Sequence, residues 1–233
     1  MQLPFFYEPN IAATAHHHLL SAETHKHAVQ VLRMQIGEAM HITNGLGLLV
    51  RAVLTQATKK ESIVQIESVQ QLPLPVKQHT LAISLLKNAS RFEWMLEKAT
   101  ELGITAIVPL KCDRTEKQHF RFDRMQQILV AAMLQSEQVW LPVLHEPISF
   151  TARLATVTNE IGFIAHCYAA EKIPLQRCSI PDICTLCIGP EGDFSPEEVS
   201  EALAKGYTPV SLGSTRLRTE TAGIIGATLL QFA

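Results

Sequence analysis

The sequence predicts an α/β protein, with a small all-β module followed by a mostly parallel sheet covered by helices. Three observations carry this. Up to about Gln70, short apolar runs alternate with polar residues between glycines and charges. Beyond Pro73, strand-like runs alternate with amphipathic helical stretches. Near the end, two junctions, residues 188–198 and 212–222, place glycine or proline directly after an apolar run and then open a helix.

In the first module the runs over residues 39–43, 48–54 and 62–69 read as strands of a small barrel. A helix over about residues 21–34 precedes them, with Ala28, Val31 and Leu32 on its apolar side. Pro73-Leu74-Pro75 breaks the pattern, so the expected domains are residues 1–72 and 73–233. The second domain then reads as strand 80–86, helix 92–102, strand 104–109, helix 122–138, strands 161–166 and 184–188, a helix from Pro196, strand 210–212 and a final helix.

Composition narrows the class. At 233 residues and 47% hydrophobic content the chain can bury a substantial core. No apolar stretch is long enough to span a membrane, and residues 1–10 lack the basic and apolar regions of a signal peptide, which predicts a cytoplasmic protein. Five cysteines, an odd number, point to reduced thiols. Cys184 and Cys187 form a CxxC inside a strand, where positions three apart face opposite ways, so buried apolar residues are expected rather than zinc ligands. The histidines at 16–18, 25, 27 and 41 lack ligand spacing; a solvated helix face and no metal are expected. Net charge is −2, yet Lys111, Arg114, Lys117, Arg121 and Arg124 form a local basic run, readable as a phosphate-binding surface or as an ordinary solvated loop and helix.

The two late junctions carry the functional signal. In the first, Gly189-Pro190 turns the chain, Ser195 is placed as an N-cap, Pro196 as the first helical residue, and Glu197 and Glu198 as early acids. In the second, Gly213 makes the turn and Thr219, Ala222, Ile225 and Leu229 mark a helix, so Arg216, Arg218 and Glu220 fall in a tight strand-to-helix connection. Parallel α/β sheets build ligand sites at such strand ends. Neither segment fits GxGxxG or GxxxxGK[ST], which excludes the usual dinucleotide and P-loop sites.

GPEG at 189–192 followed by an acid-opened helix, and LRTETA at 217–222, resemble the C-terminal signature of the RsmE family, the 16S ribosomal RNA uracil-N3 methyltransferases of the SPOUT class. The likeness continues upstream in Lys87-Asn88, EWMLEKATELG at 93–103, residues 104–109 and Gln135-Ser136, and in the first module in Val31-Leu32-Arg33 and Asn44-Gly45-Leu46-Gly47. It implies a knotted SPOUT parallel-sheet domain behind a PUA-like β-barrel. It also implies S-adenosyl-L-methionine as cofactor, methylation at N3 of one uracil (1498 in the family) of 16S rRNA in the small ribosomal subunit, and a homodimer with a shared active site.

Carried onto this chain, the resemblance assigns donor binding to His166, Ile188, Gly189, Pro190, Glu191, Gly192, Leu212, Gly213, Leu217, Arg218 and Thr219. Apolar Ile188, Leu212 and Leu217 beside Gly189, Gly192 and Gly213 would form a slot for adenine edged by backbone. RNA contacts fall to Arg33, Arg91 and Arg114. Arg218 is the candidate stabiliser of charge on the uracil oxygens. Glu220 has two readings, as proton acceptor or as a structural partner that orients Arg218 or caps the helix through Thr219. Three departures stand out: residues 137–140 read Glu-Gln-Val-Trp where the family carries arginine, Asp193 stands where glycine is common, and an arginine usual near the start is missing from residues 1–10. A SPOUT methyltransferase for another base or a ribose 2′-hydroxyl, and an RNA-binding module without catalysis, are the alternative readings.

Overall fold

The structure is a computed structural model and describes residues 3–116, 119–156, 161–168 and 171–232, which leaves Lys117 of the basic run outside the described residues. Two compact units are present, Met1–Leu74 with Met133–Leu141, and Pro75–Ala132 with Pro142–Ala233.

In the first unit, β1 (Phe5–Tyr7), β2 (His17–Leu19), a short helix α1 (Ala22–His25), β3 (Ala39–Thr43), β4 (Leu48–Ala57) and β5 (Ser62–Gln71) follow in order. The strands form one mixed sheet, β1-β3-β4-β5-β2, in which only the β1–β3 pair is parallel. Alternation along β4 buries Leu48, Val50, Ala52 and Leu54 on one face, against Phe6, Met40, Ile42 and Val64 of the other strands. Two register shifts between β4 and β5 bend this long ribbon, so that a single face serves one core.

The helix expected over residues 21–34 is shorter and wound differently. Ser21 caps α1 by accepting a hydrogen bond from the Thr24 amide, after which Lys26–Val31 is π-helical and the Leu32 amide reaches five residues back to the His27 carbonyl at 2.9 Å. The wider turn shifts the phase of the face. Ala28 is buried as expected, but Val31 and Leu32 are exposed. The histidines also depart from a solvated helix face. His17 and His18 lie on β2, with His18 Nε2 3.2 Å from a Glu8 carboxylate oxygen, His41 lies on β3, and buried His25 sits 2.8 Å from the Ser62 hydroxyl. Among the described residues no three metal-ligating side chains gather.

Trp140, one of the departures at residues 137–140, has a place in this unit. Its indole N–H donates to the Pro73 carbonyl at 2.9 Å, and the Gly47 amide donates to the Val139 carbonyl at 2.9 Å. A side chain at Gly47 would stand 2.3 Å from the indole ring, and φ there is +86°, so the second glycine of NGLG is required twice over.

The second unit contains β6 (Gln78–Ser84), α2 (Ala89–Glu101), β7 (Ala106–Lys111), α3 (Phe122–Gln135), β8 (Val143–Leu144), β9 (Ile148–Ser149), α4 (Phe150–Thr156), β10 (Gly162–Ala165), β11 (Ile173–Pro174), β12 (Ile183–Ile188), α5 (Pro196–Ala204), β13 (Thr208–Ser211) and α6 (Thr219–Phe232). Every pairing in its sheet is parallel, in the order β11-β13-β10-β12-β6-β7-β8, with β9 also on β7. β12 is central and covered on both faces, which is why Cys184 and Cys187 are both buried. Phe150, Leu154, Phe194, Val199 and Ala202 of the α4 and α5 region pack with Ala82, Ile164 and Cys187 into one core layer. On the other face α6 lies against β6, β12 and α2.

Close approach there depends on two helical glycines. A side chain at Gly223 would meet Ile83 at 2.9 Å and Met95 at 3.1 Å, and one at Gly226 would meet Leu186 at 2.3 Å. Gly226→Val should therefore destabilise the protein by about 2–3 kcal/mol through overpacking. A lowered midpoint in urea unfolding is the expected observation, and an unchanged one would show that α6 can move off the sheet. No helix of the described residues is long and apolar enough to cross a membrane.

Candidate active site at the strand ends

β13, β10 and β12 are neighbours in the sheet, and their register aligns Ala165 with both Ile188 and Val210. All three strands therefore end at one level and their following loops converge. Those loops are His166 onward, the GPEG turn, and residues 212–218 leading into α6.

The GPEG turn is held from several sides. The Phe194 amide and ring would both lie 2.9 Å from a side chain at Gly189, so only glycine lets the turn fold back this tightly. Asp193 has φ of +66°, a left-handed conformation that favours glycine and that aspartate tolerates better than most residues. Its carboxylate accepts from the Cys167 amide at 2.8 Å and from the Phe194 amide at 2.9 Å, so the aspartate ties the turn to the loop after β10. Ser195 and Glu198 complete a capping box with Pro196 opening α5, as the residue order indicated. Thr219 links the second junction to the first through its hydroxyl, which donates to the Gly189 carbonyl at 3.0 Å.

Together the loops enclose a cavity of about 740 Å³. Ile188, Gly189, Pro190, Glu191, Gly192, Leu212, Gly213, Leu217, Arg218, Thr219 and His166 all lie on its wall, so the structure brings together every residue that the resemblance assigns to donor binding. Arg91, Lys172 and Arg216 join them. Lys172 carried no motif; it reaches the wall while its ammonium donates to the carbonyls of His166 and Tyr168 at 2.8 and 2.7 Å.

Other expected residues fall differently. Glu220 is not on the wall. It is buried, its Oε1 is 3.5 Å from Arg91 Nη1, and its Oε2 has no hydrogen-bond partner among the described residues. The partner is thus Arg91 on α2 rather than Arg218. Arg91, which the resemblance assigns to RNA, stands between two carboxylates, 3.5 Å from Glu220 and 3.9 Å from Glu191. Arg114 donates to the Gly192 carbonyl at 2.8 Å and packs its stem against that glycine, so it braces the GPEG turn. Arg33 lies in the first unit, exposed, with φ of +56°.

His166 is buried on the wall with neither ring nitrogen hydrogen-bonded among the described residues. Burial pushes its pKa down, the Lys172 charge adds to that, and Asp193 opposes it. His79, fully buried on β6, is lowered mainly by burial and less by Lys77, against the Pro181 carbonyl and Asp182. An imidazole whose folded pKa lies below 6.5 contributes stability that is complete above 6.5 and is lost as pH falls through the window beneath it, because the unfolded chain binds the proton first. Thermal unfolding temperature should accordingly fall as pH is lowered from about 7.5 to about 5.5. A His79→Gln protein should show a shallower decline, and an unchanged slope would remove the assignment to His79.

Comparison with known proteins matches this arrangement. A family model described as an RNA methyltransferase domain covers residues 72–231, and one described as an RNA methyltransferase PUA domain covers residues 20–67. A Synechocystis protein named Ribosomal RNA small subunit methyltransferase E is 35% identical over 88% of this chain and 69% of its own length. A crystal structure of a probable rRNA-methyltransferase from Porphyromonas gingivalis superposes with a TM-score of 0.90 at 34% identity, covering 98% of each chain. A Ribosomal RNA small subunit methyltransferase E from Neisseria gonorrhoeae, bound to S-adenosyl methionine, superposes with a TM-score of 0.88 at 27% identity over 99% of this chain and 97% of its own. With a PUA domain ahead of a parallel α/β domain, and a cavity where the GPEG and LRTETA junctions meet, the chain belongs to the ribosomal RNA small subunit methyltransferase E family.

Proposed function

We propose that this protein transfers a methyl group from S-adenosyl-L-methionine to N3 of a single uracil, the one numbered 1498 in the family, in the 16S rRNA of the small ribosomal subunit. The observation that carries the reading is the convergence of the donor-binding set on one cavity with Arg218 on its wall. The residues fit that donor. Gly189 and Gly192 present bare backbone on the wall, and His166 holds two unused ring nitrogens there. Apolar Ile188, Leu212 and Leu217 would flank adenine, while the backbone of residues 189–192 and 213 supplies polar edges.

When bound, S-adenosylmethionine supplies a methyl already activated by its positive sulfur. The chain's task is alignment and control of the uracil N3 proton. Arg218 stabilises the negative charge that spreads to the uracil oxygens as that proton leaves. Of the two carboxylates, Glu191 is on the wall and Glu220 is not, so this reading gives proton removal to Glu191 and gives Glu220 the holding of Arg91. Family resemblance further supports a cytoplasmic homodimer whose chain is knotted at these loops.

The test is incubation with methyl-labelled donor and small subunits from cells lacking the modification, followed by nucleoside mass spectrometry. Label in N3-methyluridine is expected. Label in another base or in a ribose 2′-O-methyl group would overturn the target while keeping the enzyme class.

A further inference from the structure

α2 has a second cleft beside its first turn, on the side away from the cavity. Arg91 faces the cavity, whereas Ala89, Phe92 and Glu93 line this smaller hollow of about 80 Å³ together with Phe120, Arg121 and Arg124. One peptide unit therefore separates residues of the two walls. The hollow falls well short of the roughly 300 Å³ of a small-molecule site. Its size suits the edge of one planar ring.

Its walls are aromatic. Phe92 is buried, and half-buried Phe120 stands edge-on to both Phe92, at 6.1 Å between ring centroids, and Phe122, at 6.3 Å. Its rim is cationic, unlike the chain as a whole. Arg124 is neutralised by a two-pronged contact with Glu93 at 2.5 and 2.7 Å, which leaves Arg121, exposed and without an ion-pair partner among the described residues, as the uncompensated charge. An aromatic ring beside an unpaired arginine is the combination that single-stranded nucleic acid meets, base on ring and phosphate on guanidinium.

We propose that this cleft binds one nucleobase of the RNA substrate, next along the strand to the methylated uracil, with Phe120 stacking the base and Arg121 contacting its phosphate. The proposal rests on the functional reading above in taking RNA as substrate. It assigns the basic run a site, and it gives the enzyme a second hold on the strand beside the cavity that would take the reacting base. With a neighbour anchored, extrusion of the target uracil into the cavity costs less orientation entropy.

The test uses Phe120→Ala, Phe120→Trp and Arg121→Gln in the full chain. Affinity is read by fluorescence anisotropy with a labelled fragment of small-subunit rRNA that includes the target uracil, and donor affinity by calorimetry. Phe120→Ala should weaken RNA binding by about five- to a hundredfold, the range for one lost base stack, with donor affinity unchanged, while Phe120→Trp should bind RNA like the parent. Arg121→Gln should lower the slope of log affinity against log salt by about 0.7, one single-strand phosphate contact. RNA affinity unchanged in Phe120→Ala and Arg121→Gln would overturn the proposal. Equal losses in the Ala and Trp variants would overturn it in favour of a packing role. Loss confined to assembled subunits, with the fragment bound normally, would overturn it in favour of a protein contact. Because binding is read without methyl transfer, a parent enzyme that binds the fragment yet makes no N3-methyluridine would fail only the functional reading.

Discussion

Arg218→Ala should lower kcat for methyl transfer by about a hundred- to a thousandfold, the usual effect of removing one preorganised group from developing charge. Donor affinity should change by no more than a few fold. The reasoning is positional. Arg218 is exposed on the cavity wall at the start of α6, and the fixed part of the junction is its neighbour Thr219, buried and bonded to the Gly189 carbonyl. Deleting the guanidinium therefore leaves the loop geometry in place. Single-turnover kinetics with donor calorimetry separates the two effects. Full activity in this variant would remove Arg218 from the mechanism, and loss of donor binding in step with kcat would leave it only the donor-binding role that the resemblance also assigns to it.

The second large effect concerns Arg91 and Glu220. Glu220 is a buried carboxylate with one oxygen unpartnered among the described residues, and Arg91 is the cation placed against the other. Arg91→Ala strands that charge. A fully buried pair broken this way costs about 3–5 kcal/mol; the Arg91 side chain is 39% exposed, so about 2 kcal/mol is the more apt figure after solvent screening. Because Arg91 also approaches Glu191 in the GPEG turn, part of the loss should appear as donor affinity weakened about tenfold. Arg91→Ala combined with Glu220→Gln should recover much of the stability, since the stranded charge is gone. A double variant less stable than Arg91→Ala alone would show that Glu220 is held by something other than Arg91.

Both effects depend on a pairing that linear sequence hides. Arg91 and Glu220 are separated by most of the domain, and each carries a plausible reading by itself, phosphate contact for one and proton transfer for the other. Their meeting depends on α2 and α6 packing side by side, which Gly223 permits by letting Met95 approach closely. Arg114 is a similar case. Its basic neighbourhood suggests RNA, and the fold adds a role that the sequence does not show, since one of its guanidinium N–H groups donates to the Gly192 carbonyl.

Local chemistry was legible where a residue's conformation is decided by its immediate neighbours. Glycine after an apolar run, Ser195 before Pro196 and Glu198, and alternation along β4 each state a turn, a cap or a buried face within a few residues, and the structure shows each of them. The parallel α/β class follows from the same local periods. The π-helical winding at Lys26–Val31 was not legible, since π and α turns draw on the same residue types and differ by one hydrogen-bond step. Tertiary structure alone decided that β10, β12 and β13 end at one level, that Lys172 reaches the cavity, and that Glu220 pairs with Arg91 and does not line the wall. These are contacts between residues far apart in the chain, and local propensity carries no information about which distant charge a side chain will meet.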